Sequence, residues 1–217
     1  LTFSLKKNPA YKVDCRRLTP DKLADLSIEQ ILEITLNNAI KIVDLFDING
    51  ENIEQIVFKN GTAQLDFIGH QMSHGSITIE GDCGDFLGAN MRGGHIVCYG
   101  DTGDRVGDQM RRGLLLIDGS AGDYCGSRML AGTIGVYESV GSYAGFGMKR
   151  GTILLTRPAD LHITLQDCGT HDLPFLKLLF NAIKPLKSKF SALNSMRAQR
   201  YGGDVACNGT GEVLVLK

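Results

Sequence analysis

The sequence predicts an all-β solenoid: a parallel β-helix with 19-residue coils, flanked by a small α/β N-terminal cap and a helical C-terminal cap. Three observations predict it. The first is composition. Gly makes up 27 of 217 residues and Pro only 5, and Trp is absent. High Gly without high Pro argues for many tight turns in an ordered structure, not for collagen or a linker. The second is where the glycines fall: 21 of the 27 lie between Gly61 and Gly151. Gly69, Gly88, Gly107, Gly126 and Gly145 are each 19 residues apart. So are Gly75, Gly94, Gly113, Gly132 and Gly151, and so are Gly84, Gly103, Gly122 and Gly141. A shorter series, Gly81, Gly100 and Gly119, ends at Glu138. The third is that apolar columns keep the same step. Met72, Met91, Met110, Met129 and Met148 form one, Ile77, Ile96, Leu115, Ile134 and Ile153 a second, and Ile79, Cys98, Ile117, Val136 and Leu155 a third.

A short fixed period without insertions marks a repeat architecture. A helical pair needs a longer unit, and Gly at this density would break it. The Leu/Asn ladder of a leucine-rich repeat is absent. Each unit instead carries a short G-x-I-x-I strand whose alternation sets both apolar residues on one face. Glycines then turn the chain. Stacked coils pair as parallel strands, so like residues lie on like, and four to five coils span roughly 20–25 Å. The glycine columns are read as the structural turns.

The open ends of a solenoid need caps. Residues 1–55 are read as an N-terminal cap with short helices, 56–157 as the β-helix repeats, and 158–217 as a C-terminal helical extension. Leu1, Phe3 and Leu5 alternate as in a strand. Thr19-Pro20 opens one short helix over about 20–25. Ser27 with Gln30 makes a capping box for a second over about 28–33. Residues 43–48 lead into Ile56-Val57-Phe58, an irregular first rung. Asp172-Leu173-Pro174 opens a helix over Phe175 to Ile183, with Asp172 as its cap and Pro185 as its end. Residues 186–200 read as exposed, and Glu212 to Leu216 as a final strand.

The chemistry is sparse. Of six cysteines, none makes C-x-x-C, so no zinc or iron–sulfur spacing exists. Cys83, Cys98 and Cys125 fall in apolar columns and read as core, in keeping with a reducing cytoplasm. The Met column suggests a soft-metal ladder only on paper. Gly-Asp-x-Gly-Asp at 81–85 and 100–104 lacks the nine-residue unit of calcium-binding solenoids. Gly145-Phe146-Gly147 with Gly151 lacks dinucleotide-binding spacing. Asp85, Asp104 and Asp123 stack with Ser142, a repelling ladder unless it is solvated or turned toward backbone amides. His70, His74 and His95 read as edge residues. Asp167-Cys168-Gly169-Thr170-His171-Asp172 combines a thiol, an imidazole and carboxylates. A Cys/His nucleophile there competes with a plain polar turn, and nothing supplies an oxyanion hole. No catalytic residue and no metal ligand is therefore assigned.

The remaining composition excludes whole classes. The chain is 43% hydrophobic and 22% charged, with a net charge of −1. That balance gives no reason to invoke nucleic acid or an anionic membrane. No apolar run reaches spanning length, and no apolar h-region opens the chain. The expected location is cytoplasmic.

The turns Gly81-Asp-Cys-Gly84-Asp-Phe-Leu-Gly88, Gly100-Asp-Thr-Gly103-Asp-Arg-Val-Gly107 and Gly119-Ser-Ala-Gly122-Asp-Tyr-Cys-Gly126 resemble two related groups. One is the C-terminal GXGXG β-helix domain of glutamate synthase. The other is the C-subunit family of formylmethanofuran dehydrogenase. Leu18-Thr19-Pro20-Asp21-Lys22-Leu23 and Val43-Asp44-Leu45-Phe46 resemble the N-terminal region of the second group. Asp167 to Leu173 is similar to the C-terminal extension of its bacterial branch, the formyltransferase/hydrolase complex of methylotrophic bacteria. That resemblance implies a right-handed β-helix and a non-catalytic scaffold within a hetero-oligomer. It implies amidohydrolase-like, formyltransferase and molybdopterin-enzyme-like partners, which hold the metal and the methanofuran-type carrier. No cofactor is expected on this chain. The complex would move a formyl group from formyl-tetrahydromethanopterin to the carrier and hydrolyse it to formate. The competing resemblance implies a spacer domain of an amidotransferase. Family members often carry extra coils, whereas this set is short. Asp167, Cys168, His171, Asp172, Phe175 and Phe180 are the candidate interface residues, because the run from Phe175 covers more than one helical face with apolar side chains.

Overall fold

The computed structural model describes residues 1–217, the side chain of Asn38 excepted. The N-terminal cap begins with β1 (Thr2–Leu5), whose alternate residues Phe3 and Leu5 are buried. β2 (Val13–Asp14) is followed by two short helices, α1 (Pro20–Leu23) and α2 (Ile28–Leu32). Ser27 and Gln30 form the expected reciprocal capping box on α2. Thr19 precedes α1 in an extended conformation, but its side chain is buried and makes no cap bond. Helix α3 (Ile42–Leu45) and β3 (Phe46–Asn49) occupy the region read as an irregular lead-in. β1 pairs antiparallel with β3 and parallel with β4 (Gln55–Gly61). Phe3 stacks on Phe58 at 5.3 Å and meets Phe46 edge-on at 5.7 Å. These rings close the apolar interior at this end, since an open end would expose side chains worth roughly 1.5–3 kcal/mol each when buried.

The coils follow. β5 (Leu65–Asp66) pairs with β2. β6 (Ser76–Gly81), β7 (His95–Cys98), β8 (Leu114–Ile117), β9 (Thr133–Val136) and β10 (Thr152–Leu155) stack in parallel, in sequence order, on β4. Their register is the 19-residue step: Ile77 faces Ile96, Ile96 faces Leu115, Leu115 faces Ile134 and Ile134 faces Ile153. A second, narrow parallel ladder joins Cys83, Thr102, Ala121 and Val140. The five methionines are fully buried in one column. The Gly113 corner shows why that column and a glycine column go together. It has φ +109°, and a Cβ there would lie 2.8 Å from Met91 Cε.

Glycine does not make all the turns. Phe67, Phe86, Arg105, Tyr124 and Tyr143 are also left-handed, as are Gln71, Asn90, Gln109 and Arg128. These two columns of non-glycine corners give no signal in the glycine spacing.

The C-terminal segment departs most from expectation. Residues 167–172 are not a turn. They belong to β11 (Gln166–Asp172), an edge strand with a bulge, paired antiparallel with β12 (Arg197–Gly203). Helix α4 (Phe175–Ile183) has Pro174 at its N-cap, so Asp172 does not cap it. β13 (Gly211–Leu216) pairs antiparallel with β12 and parallel with β10, setting Val213 beside Ile153 and Val215 beside Leu155. The solenoid's last rung thus comes from the far end of the chain.

Helix α4 covers the outer face of the coil strands. Leu176, Phe180 and Ile183 form a second core with Val97, Leu116, Leu154, Phe190 and Leu214. Residues 186–200 are not simply exposed either, because Ser188 and Phe190 are buried. Buried Asp118 holds this segment by accepting from Ser188 Oγ and from the Lys189 amide at 2.9 Å. Gly135 leaves room for the Phe190 ring, 2.9 Å from where a Cβ would stand.

Candidate functional site

The Cys168–His171 segment is the first place to look for chemistry, and its geometry argues against a nucleophile. The His171 ring donates from Nε2 to the Cys168 carbonyl oxygen at 2.7 Å, not to the thiol. Cys168 Sγ donates to the Gln166 carbonyl at 3.4 Å. A thiol is activated by an imidazole only when the ring reaches its proton, and here the ring is committed to backbone. The Gly169 amide donates to Asp167 Oδ1 at 2.8 Å, and Gln199 Nε2 donates to the same carboxylate. These contacts tie up the bulge with side chains, a device that protects an exposed edge strand from unwanted pairing.

The other candidates are separated or spent. His74 Nδ1 lies 3.0 Å from Glu54 Oε2, and this hydrogen bond raises the pKa of the ring. His70 and His95 are lowered by burial, His70 also by the Arg16 charge. Among the described residues, no group of three or more His, Cys, Asp or Glu is placed to hold a metal ion. Burial pushes the Cys125 thiol up to about 12 and raises that of Cys15. Cys83 is raised by its hydrogen bond with Cys98 and by burial. Such thiols are packing groups and not nucleophiles.

The acidic turns are ladders of acceptors. Asp66, Asp85, Asp104 and Asp123 each accept, through Oδ1, the backbone amide 19 residues on, at 2.8 to 2.9 Å. A parallel ladder runs from Asp82 to the Asp101 amide and from Asp101 to the Ser120 amide. Sequence reasoning missed the second ladder, although Asp82, Asp101, Ser120 and Ser139 keep the same step.

What remains outward is surface suited to contact. Asp167, Cys168, His171 and Asp172 are exposed on β11. On α4, Phe175 is 41% and Leu178 72% exposed. Phe180, read as a candidate interface residue, is instead 2% exposed and fills the chain's own outer core.

No family model matches the chain. A stretch of 86 residues is 32% identical to the Fhc C-subunit of the formyltransferase/hydrolase complex of Methylorubrum extorquens, covering 38% of this chain and 32% of that protein. A stretch of 89 residues is 30% identical to the C-subunit of tungsten-containing formylmethanofuran dehydrogenase 2 of Methanococcus maripaludis, covering 39% and 33%. The matched stretches thus span about a third of these curated relatives' length. The fold is similar to a chain in the crystal structure of the formyltransferase/hydrolase complex FhcABCD of Methylorubrum extorquens with methylofuran. The TM-score is 0.65 at 30% identity, over 100% of both chains. With sequence matches to both branches and a fold match over its whole length, the chain belongs to the C-subunit family of formyltransferase/hydrolase and formylmethanofuran dehydrogenase complexes.

Proposed function

We propose that this chain is a non-catalytic structural subunit of a one-carbon complex. That complex transfers a formyl group from formyl-tetrahydromethanopterin to a methanofuran-type carrier and hydrolyses it to formate. The observation that carries the reading is the full-length match to a chain of FhcABCD, whose structure holds methylofuran. The chain's own geometry supports a scaffold role. Its histidines are dispersed, its buried thiols are inert, and its one thiol–imidazole segment is tied to backbone. A rigid solenoid contributes by holding catalytic partners in register. In this reading the amidohydrolase-like, formyltransferase and molybdopterin-enzyme-like partners hold the carrier and the metal, and the complex is cytoplasmic. Among the described residues, no helix is long and apolar enough to cross a membrane. β11 and the outward side of α4 are the proposed docking elements. The spacer reading, in an amidotransferase, has no comparable support among these relatives.

The test is purification of the complex through a tag on this chain, followed by identification of the partners and assay of formyl transfer. The reading expects formyl-transferring partners, activity in the assembly, and none in the isolated chain. Partners of an amidotransferase, or turnover by the isolated chain that Cys168→Ala abolishes, would sink it.

A further inference from the structure

One corner of the solenoid carries a column with no glycine. Phe67, Phe86, Arg105, Tyr124 and Tyr143 follow the 19-residue step, each with φ between 59° and 62°. A left-handed backbone is costly for bulky side chains, and glycine holds neighbouring corners of the same coils. The five side chains form one continuous stack. Phe67 and Phe86 lie parallel at 4.6 Å, Arg105 lies over Tyr124 at 4.8 Å, and Tyr124 and Tyr143 lie parallel at 5.0 Å. Stacking rigidifies the column, but it leaves the ring edges facing outward.

Beside the stack runs the column of Asp66, Asp85, Asp104 and Asp123. Each gives Oδ1 to a backbone amide, and a cation can share that oxygen, as at Asp66, or take Oδ2, as at Asp85. The chain's own N-terminal segment shows how such a corner is occupied. Lys12 Nζ lies 2.8 Å from Asp66 Oδ1 and 3.4 Å from Asp85 Oδ2, and the Arg16 guanidinium lies 3.7 Å over the Phe67 ring. Lysine takes the carboxylate column and arginine takes the aromatic column. Above these first rungs the stack supplies its own arginine, Arg105 over Tyr124, but the carboxylates have no such partner. Among the described residues, no ion pair involves Asp104 or Asp123. At the far end Tyr143 is 41%, Phe146 42% and Ile163 88% exposed, and Tyr143, His162 and Ile163 line a surface cleft with Asp160.

We propose that the open part of this corner, from Asp104 to Ile163, docks a lysine- and arginine-bearing segment of a partner polypeptide. The segment repeats beyond the second coil what residues 12–16 do on the first. Its cations meet Asp104, Asp123 and Asp160, and its side-chain stems cover Tyr143, Phe146 and Ile163. This rests on the scaffold reading above and adds to it which face a partner occupies and with what chemistry.

The test uses the complex purified through this chain. Carbodiimide cross-linking, which joins only touching carboxylate and amine groups, is expected to link Asp104 or Asp123 to a lysine of a partner polypeptide. Hydroxyl-radical footprinting is expected to find Tyr143, Phe146 and Ile163 protected in the complex relative to the free chain. The double variant Asp104→Asn, Asp123→Asn keeps an oxygen for each backbone amide and removes both charges. It should weaken assembly about 10-fold at low salt, with less effect at high salt. An intact complex in which these side chains stay as reactive as in the free chain overturns the docking proposal alone. So do cross-links found only between copies of this chain. Failure to recover any complex overturns this proposal and the scaffold reading together.

Discussion

The Asp123 amide donates to Asp104 Oδ1 at 2.8 Å, one coil away, and the Asp104 amide donates to Asp85 Oδ1 at 2.9 Å. A column of acids that would repel as bare charges becomes a chain of acceptors, each held by a neighbour's peptide dipole. Gly122 allows the approach, because a Cβ there would fall on Asp104 Oδ1. Asp104→Ala should therefore cost about 0.5–1.5 kcal/mol, the net range for a hydrogen bond whose donor water can reach. Asp104→Asn, which keeps an oxygen in place, should cost less. Urea unfolding of the three proteins checks the order, and equal losses for Ala and Asn would remove the acceptor explanation.

Met110 lies fully buried in the middle of the Met column, against the Gly132 corner, where a Cβ would stand 2.9 Å from its Cε. Close-packed coils on both sides cannot collapse into the space it fills. Met110→Ala is expected to lose about 2–5 kcal/mol, and volume-conserving Met110→Leu less than about 1.5 kcal/mol. Thermal unfolding measures both. A small loss for the alanine variant would mean that the column is loosely packed.

The parts of this fold legible in the sequence are those where chemistry repeats with geometry. Glycine, methionine and isoleucine columns announce themselves because one residue type suits each corner or core position. The aromatic corner is hidden because Phe67, Arg105 and Tyr143 share a backbone conformation and not a residue type. The outer core is hidden because Val97, Leu116 and Leu154 sit at the middle of each strand, where alternation reads as solvent-facing. The β11–β12 pairing is hidden because Gln166 to Asp172 is polar on both faces, gives no period-2 signal, and meets a strand beyond α4. At the candidate site the residues themselves are legible, but the side-chain commitments are not. Nothing in the spacing of Cys168 and His171 reveals that the ring bonds to the carbonyl and not to the thiol.

Asp204 is buried at the β12–β13 connection. Burial alone would raise its pKa, but the amides of Gly147 and Ala206 and the Thr164 hydroxyl outweigh this and hold it below the usual value. A depressed folded pKa contributes stability that is present above the unfolded value, about 3.9, and is lost as pH falls through the folded value. Stability should fall below about pH 4, and Asp204→Asn should be less stable at pH 7 yet lose less on acidification. Denaturant unfolding at pH 7 and pH 3 tests this. Parallel acid sensitivity of the two proteins would refute the assignment.

The histidines should titrate apart. His74, bonded to Glu54, is raised, whereas half-buried His70 and His95 are lowered. Proton chemical shifts of the rings should place His74 above the ordinary value of about 6.5 and the other two below it. Glu54→Gln should bring His74 down toward that value without moving His95. A His74 midpoint that ignores this substitution would leave the Glu54 contact without effect in solution.

The two sides of α4 should respond oppositely to substitution. Truncation cannot separate them, since removing residues 165–217 also strips β13 from β10 and uncovers Met148, Ile153 and Leu155. Point changes can. Phe180 is buried against Val97, Leu116 and Leu154, so Phe180→Ala should cost about 3–5 kcal/mol of stability. Leu178 is 72% exposed and Phe175 41% exposed, so nothing within the chain depends on the Leu178 side chain. Leu178→Asp should leave the melting temperature of the isolated chain nearly unchanged, because exposed substitutions usually fall within about 0.5 kcal/mol. If α4 docks a partner, the same change puts a charge into an apolar contact, and the complex should no longer copurify at its normal yield. Full recovery of the complex with Leu178→Asp, at unchanged stoichiometry, would move the docking surface off α4 and onto β11 or the coil flanks.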